Sequence, residues 1–190
     1  MREGRWVRGL RPRSRSGMTI LEVTVAIVIL ISGVAGYLQA MVQLERAQQR
    51  TREVGRATQA ARQIVESIEA EAFPEAFRRY NGEPIDDPGG AGTAPGKDFD
   101  VPGLSAMPGD PDGRPGEVIF PSPAGQPGVL NEAVVDSTLG MPRDLNGDGL
   151  IDNAANYNQT YTILPLRVRV SWVSSAGPAS VEVRTMLGNF

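Results

Sequence analysis

The 190-residue chain has no cysteine and no histidine. Without cysteine there is no disulfide framework and no thiolate metal site, so thiol usage says nothing about redox compartment. Without histidine the commonest general base is missing, and with it the Ser-His-Asp and Cys-His triads and the usual zinc sites. Only paired carboxylates remain for acid–base work. Those visible, Asp86–Asp87 and the acidic residues of 144–152, stand in Gly/Pro-rich or turn-like sequence rather than in a shaped core, so no enzyme is expected. Positive charge is scarce beyond the first residues. Residues 1–17 hold six arginines against Glu3, a balance of +5, which leaves −8 for residues 18–190 within a net charge of −3. That is a basic tip on an acidic body. Residues 82–128 offer only Lys97, Arg114, Phe99 and Phe120 as basic or aromatic groups, so nucleic acid is not an expected partner. Proline is absent between Pro12 and Pro74. The hydrophobic content of 41% suffices for one small core.

What is present begins with "RSRSGMTILEVTVAIVILISGVAG" (Arg13–Gly36). From Met18 to Leu44 the only ionisable group besides the Tyr37 hydroxyl is Glu22. As a helix rising about 1.5 Å per residue this segment exceeds the ~30 Å of a hydrocarbon core, so it can span a bilayer. Its Arg-rich flank predicts a cytoplasmic N-terminus and an exported body. A secretory signal also starts basic and turns apolar, but it ends at a small-residue cleavage site, whereas here the apolar run passes into a long helical pattern. A carboxylate inside a membrane helix costs about 2.5–3.5 kcal/mol and calls for a partner or a function.

"SGMTILEVTVAIVIL" resembles the N-terminal processing signal of type IV prepilins and of the pseudopilins of type II secretion. The resemblance implies that a prepilin peptidase cuts after Gly17, that Met18 becomes an N-methylated first residue, and that Glu22 is the fifth residue of the mature chain. It covers about the first 45 residues. In stacked helices the α-amino group of one Met18 would lie against the Glu22 carboxylate of its neighbour, replacing two unpaired charges in apolar surroundings by one pair. Glu22 is then an assembly and register residue. The partners so implied are the peptidase, other pilin or pseudopilin subunits, an inner-membrane assembly platform and the membrane.

Downstream, Val54, Ala57, Ala61, Ile64 and Ile68, with Val65 beside them, follow spacings of three and four among Arg, Gln and Glu, predicting an amphipathic helix. Pro74 in "EAFPE" is expected to close it near Ala72. A helix of roughly 80 Å follows from those bounds. The family's fold is a long helix packed by its second half on a small antiparallel sheet, so the expected class is α+β and pilin-like. Many major pilins kink the apolar half with a proline that this chain lacks, which leaves Gly33 and Gly36 as the flexible points and leans toward pseudopilins or minor pilins. The expected organisation is a cleaved basic leader 1–17, a transmembrane and filament-core helix 18–44, an amphipathic helix 45–73 and a periplasmic domain 74–190.

Within that domain, residues 82–128 hold ten prolines and eleven glycines, a density that predicts an irregular, mobile loop with one short strand, "EVIF" (Glu117–Phe120). The loop is also where a partner could be contacted. In "LRVRVSWV" Leu166, Val168, Val170 and Trp172 alternate with Arg167, Arg169 and Ser171. In "SVEVRTML" Val181 and Val183 alternate with Glu182 and Arg184. With "SSAGPAS" between them these form a C-terminal hairpin over 163–187. Its apolar face is expected to cover the helix stripe, and Glu182 to pair with Arg167 or Arg169.

"DLNGDGLID" places oxygen donors at Asp144, Asn146, Asp148 and Asp152, with a backbone carbonyl at Leu150 and Gly149 at the sharp turn. That is the order of the first nine positions of an EF-hand-type loop and suits one structural Ca2+. The twelfth position is Ala155 rather than glutamate and no helices flank the loop, so a further ligand would come from elsewhere, Asp136 or Asn156. Asn-Gly and Asp-Gly turns needing positive φ select the same residues, and that reading stays open beside calcium.

Two functions follow. One is a structural subunit, a minor pilin or pseudopilin, held in the inner membrane and drawn into a type IV pilus or a type II secretion pseudopilus. The other is a membrane-anchored envelope binding or adhesin module that does not assemble.

Overall fold

The computed structural model describes residues 17–153 and 156–189. Most of the expected leader, residues 1–16, and Ala155 lie outside the described residues. The chain divides into two compact units, Met1–Glu45 and Arg46–Phe190. Its elements are α1 (Ile20–Glu69), α2 (Phe73–Tyr80), β1 (Asp98–Phe99), β2 (Gly116–Ile119), β3 (Ile163–Ser174) and β4 (Gly177–Gly188), with a 3-10 turn at Pro84–Asp86. The strands form one antiparallel sheet in the order β1-β2-β3-β4. The class is α+β, with a long helix packed on a small antiparallel sheet.

In the first unit every large apolar side chain from Met18 to Leu44 is exposed, all round the helix. Two of its hydroxyls are satisfied within the helix: Thr24 donates to the carbonyls of Ile20 and Leu21, and Ser32 to that of Val28. A helix with apolar side chains on all faces suits surroundings without water. It is the one segment among the described residues long and apolar enough to cross a membrane.

In the second unit the buried face of α1 is Glu53, Ala57, Ala61, Val65 and Ile68. The stripe is the expected one at Ala57, Ala61, Val65 and Ile68 and differs at its first residue and at Ile64. Val54 is exposed, Ile64 is half-buried, and Glu53 takes the place expected of an apolar residue. Glu53 is buried beside Trp172, fully buried at the far end of β3, whose indole Nε1 donates to Glu53 Oε2 at 3.1 Å. A buried indole N–H needs an acceptor, and a carboxylate one turn before Ala57 supplies it. Ser174, beside the carboxylate without a hydrogen bond of good geometry, and Trp172 hold the Glu53 pKa below its usual value of 4.5, against the upward push of burial. Glu53 therefore adds stability that is complete above that value and lost as the pH falls through the lower folded-state pKa. Trp172→Phe, which keeps an aromatic ring but removes the donor and some buried volume, should cost at least about 1–3 kcal/mol in denaturant melts. The gap between wild type and Glu53→Gln should close as the pH is lowered below 4.5. A gap that persists unchanged in acid would mean that the carboxylate charge contributes nothing.

Pro74 does not end the long helix. α1 stops at Glu69, Ala72 is extended, and Pro74 sits in the first turn of α2, where its missing N–H would have had no helical partner anyway. α2 buries Ala76, Phe77 and Tyr80, and Arg79 reaches back to Glu71 at 3.1 Å. Phe77 meets Phe120 edge-on at 5.1 Å, and Phe73 meets Tyr161 at 4.8 Å.

Residues 82–128 are not a free loop. β2 starts at Gly116, one residue before the expected strand, and pairs Val118 with Val168, while β1 adds a two-residue edge through Phe99 and Gly116. Gly116 is required there, because a Cβ would stand 2.3 Å from the Phe99 ring. Val101, Val118 and Phe120 are buried, so a segment of turn residues is held by a few apolar anchors. β3 buries Leu164, Leu166, Val168, Val170 and Trp172 on one face. The hairpin turn is tighter than expected, with Ser174 already paired to Gly177. On the outer face Arg167 lies 3.7 Å from Glu182 and 3.6 Å from Asp136, while Arg169 goes to Glu117 at 2.7 Å rather than to its register partner Glu182. Glu117 also takes Lys97 at 3.0 Å. Such partly exposed pairs are worth about 0–1 kcal/mol each.

Candidate functional site

Two places carry the residues singled out in the sequence, one in each unit. At the start of α1, Gly17 and Met18 precede the helix and are exposed. Glu22 lies in the first turn, and its backbone N–H donates to Thr19 Oγ1 at 3.3 Å. Thr19 and Glu22 thus have the spacing of a capping box, the Thr accepting from the third helical N–H. The reciprocal arm, from the Thr19 N–H to the Glu22 carboxylate, is not formed. The Glu22 side chain has no hydrogen-bonding or ionic partner among the described residues. An acidic group in the first turn is favoured by the helix dipole by about 0.3–1 kcal/mol, which is less than its cost in an apolar environment.

The second place is the loop between Leu139 and β3. Asp144 Oδ1 accepts from the Gly147 N–H at 2.6 Å and Oδ2 from the Gly149 N–H at 2.7 Å. Asn146 Oδ1 accepts from the Asp148 N–H at 2.9 Å, and Asp148 Oδ1 from the Leu150 N–H at 2.8 Å. Gly147 and Gly149 both have positive φ. Each acidic or amide side chain therefore folds back on the backbone two to five residues ahead, the Asx geometry that the alternative reading anticipates. The pKa of Asp144 is held down chiefly by the Gly149 N–H.

Neither extra ligand considered from the sequence hydrogen-bonds to this loop among the described residues. Asp136 caps Thr138 and Leu139 and pairs with Arg167, and Asn156 accepts from the Leu130 N–H. The residue that does is Glu132, fully buried, whose Oε1 accepts from the N–H groups of Leu145 (2.7 Å) and Asn146 (3.3 Å) and whose Oε2 accepts from that of Asp152 (3.1 Å). Glu132 closes the loop from behind. No sequence signal marks it, because its partners are backbone groups 13 to 20 residues away. Beside it Tyr157 is buried, and its phenol is pushed up to about 12 by burial and by the carboxylates of Glu132, Asp152 and Asp148.

The donor chemistry fits a hard divalent cation: side-chain oxygens in alternation, and no Lys or Arg paired with Glu132, Asp144 or Asp148 among the described residues. Among the described residues no group of three or more carboxylates is drawn together as a metal-holding cluster. The loop is closed by its own N–H groups with Glu132 as anchor.

No protein-family model matches the chain, and no curated protein or solved structure matches it either.

Proposed function

We propose that this chain is a prepilin-like structural subunit, cut after Gly17 by a prepilin peptidase and drawn from the membrane into a filament of the type IV pilus or type II secretion kind. One observation carries the reading: Glu22 stands five residues from the proposed cut, at the head of a helix whose apolar side chains are exposed on every side, with no partner for its carboxylate among the described residues. Met18, once freed, supplies the one cation the geometry calls for, an α-amino group at the same depth in a neighbouring copy. The body, net acidic and built on a short sheet, is the exported part. Catalysis has no role in this reading.

Mass spectrometry of the N-terminus of protein isolated from its native membranes tests it. A chain beginning at a methylated Met18 is expected; an intact leader would reduce the protein to a tethered domain with a binding role.

In the same reading the 144–152 loop takes a structural Ca2+ through Asp144, Asn146, Asp148, the Leu150 carbonyl and Asp152, and the ion would neutralise carboxylates that repel one another. Titrating calcium into residues 46–190 should raise the melting temperature over the millimolar range. A flat response would assign the loop to Glu132 and its turns alone.

A further inference from the structure

Three arginines stand just past the apolar segment and take no part in the packing of the body. Arg46, Arg50 and Arg52 are exposed, and none has a hydrogen bond or an ion pair among the described residues. Arg56, the next along the chain, belongs to the body: a Cβ on Gly103 would stand 2.6 Å from its Nη1, and its charge helps to hold the Glu53 pKa down. Glu45 is the one acidic residue over 45–52, so this short stretch is net positive. In the orientation proposed above it lies on the exported side. Arginine there opposes the charge asymmetry that orients the span, and the six arginines of 1–17 outweigh it.

Position and direction both suit a bilayer surface. Arg46 follows Leu44, the end of the apolar segment, by two residues and Arg52 follows it by eight, about 3 and 12 Å along a helix axis. The headgroup layer extends about 5–7 Å beyond the hydrocarbon core. Cα–Cβ bonds in a helix tilt toward its N-terminus, here toward the apolar segment, so the long side chains of Arg50 and Arg52 can lean back by about one turn. The three do not share a face. At about 100° per residue Arg46 and Arg50 point to one side, and Arg52 lies about 160° round from Arg50. A docked protein covers one side of a helix, whereas a lipid leaflet surrounds it.

We propose that Arg46, Arg50 and Arg52 form a collar that binds the phosphates of anionic phospholipids in the leaflet from which the helix emerges. Each guanidinium offers a phosphate two parallel N–H donors, and cations beside a span gain from an anionic surface. The collar sets the depth at which the chain sits in the membrane, and its lipid contacts are given up when the chain leaves the bilayer. This rests on α1 crossing the membrane and is independent of filament assembly.

The chain has no cysteine, so a single thiol can be placed beside the collar at Gln48, which is exposed and has no hydrogen bond among the described residues. Full-length Gln48→Cys carrying a benzophenone is reconstituted into vesicles of equal phosphatidylglycerol and phosphatidylcholine and irradiated, and its lipid adducts are counted by mass spectrometry. Phosphatidylglycerol adducts should exceed phosphatidylcholine adducts about threefold, and 1 M salt should bring the two to parity. Adding Arg46→Gln, Arg50→Gln and Arg52→Gln together should do the same without salt, while adding Arg62→Gln, at an exposed arginine of the body, should leave the excess unchanged. Parity with the three arginines in place, an excess that survives their removal, or an equal loss with Arg62→Gln overturns the proposal. So does a probe that in native membranes forms adducts with protein in place of lipid, which would make the collar a protein-docking site. Alkaline extraction of native membranes reads the span separately: release of the chain defeats the span and the collar together, and retention with equal adducts defeats the collar alone.

Discussion

Replacing Glu132 with alanine should lower the stability of residues 46–190 by about 3–5 kcal/mol. Three backbone N–H groups, those of Leu145, Asn146 and Asp152, lose their acceptor at a fully buried position. A buried donor left unpaired costs about 1–3 kcal/mol, and relaxation of the exposed part of the loop recovers some of the total. Glu132→Gln keeps one acceptor and turns an NH2 toward the remaining donors, so its cost should be about half as large. Denaturant melts measure both. The Tyr157 phenol gives an independent reading: with the Glu132 charge removed, its pKa should fall from about 12 toward the ordinary 10.0, followed by ultraviolet titration. A Glu132→Ala variant within about 0.5 kcal/mol of wild type would show that the Asx turns hold the loop unaided.

Glu22→Val should reach the membrane as wild type does and then stay there. Removing the carboxylate removes an insertion cost of about 2.5–3.5 kcal/mol, so insertion does not suffer. A filament in which each Met18 amine depends on that carboxylate is left with a buried uncompensated cation at every contact. Breaking one partner of such a pair costs about 3–5 kcal/mol, roughly a 100-fold or greater loss in association. Glu22→Gln separates this role from helix capping. The amide retains hydrogen-bonding capacity toward the Thr19 backbone but carries no charge, so a capping role predicts normal filaments and a pairing role predicts almost none. The measurement is the amount of chain in sheared filaments relative to the amount in membranes. Normal incorporation of Glu22→Gln would remove the pairing role.

Elements set by local periodicity were legible before any coordinates: the long helix, the apolar segment around Glu22, and the hairpin of β3 and β4 to within a residue at its far end. The same holds for the Asx loop at 144–152, because its glycines and side-chain oxygens act within five residues of one another. Where the outcome depended on distant groups, local pattern misled. Val54 fits the apolar period as well as any residue yet is exposed, while Glu53 is buried against the Trp172 indole, 119 residues away. Pro74 breaks a helix when considered alone; with Phe77 buried against Phe120 it starts one. The Gly/Pro density of 82–128 describes the backbone correctly and is silent about Val101, Val118 and Phe120, whose burial orders it.

The sequence by itself therefore determined the long helix, the short strand near Val118 and the C-terminal hairpin, that the first half of the helix is apolar on every side, and where a lone carboxylate sits within it, since these follow from near-neighbour spacing and hydrophobicity. Only the tertiary structure decided which carboxylates are buried. Glu53 and Glu132 are accepted into the interior because an indole and three peptide N–H groups happen to be waiting there, and hydrogen-bond satisfaction between residues far apart in the chain is a property of the folded arrangement alone.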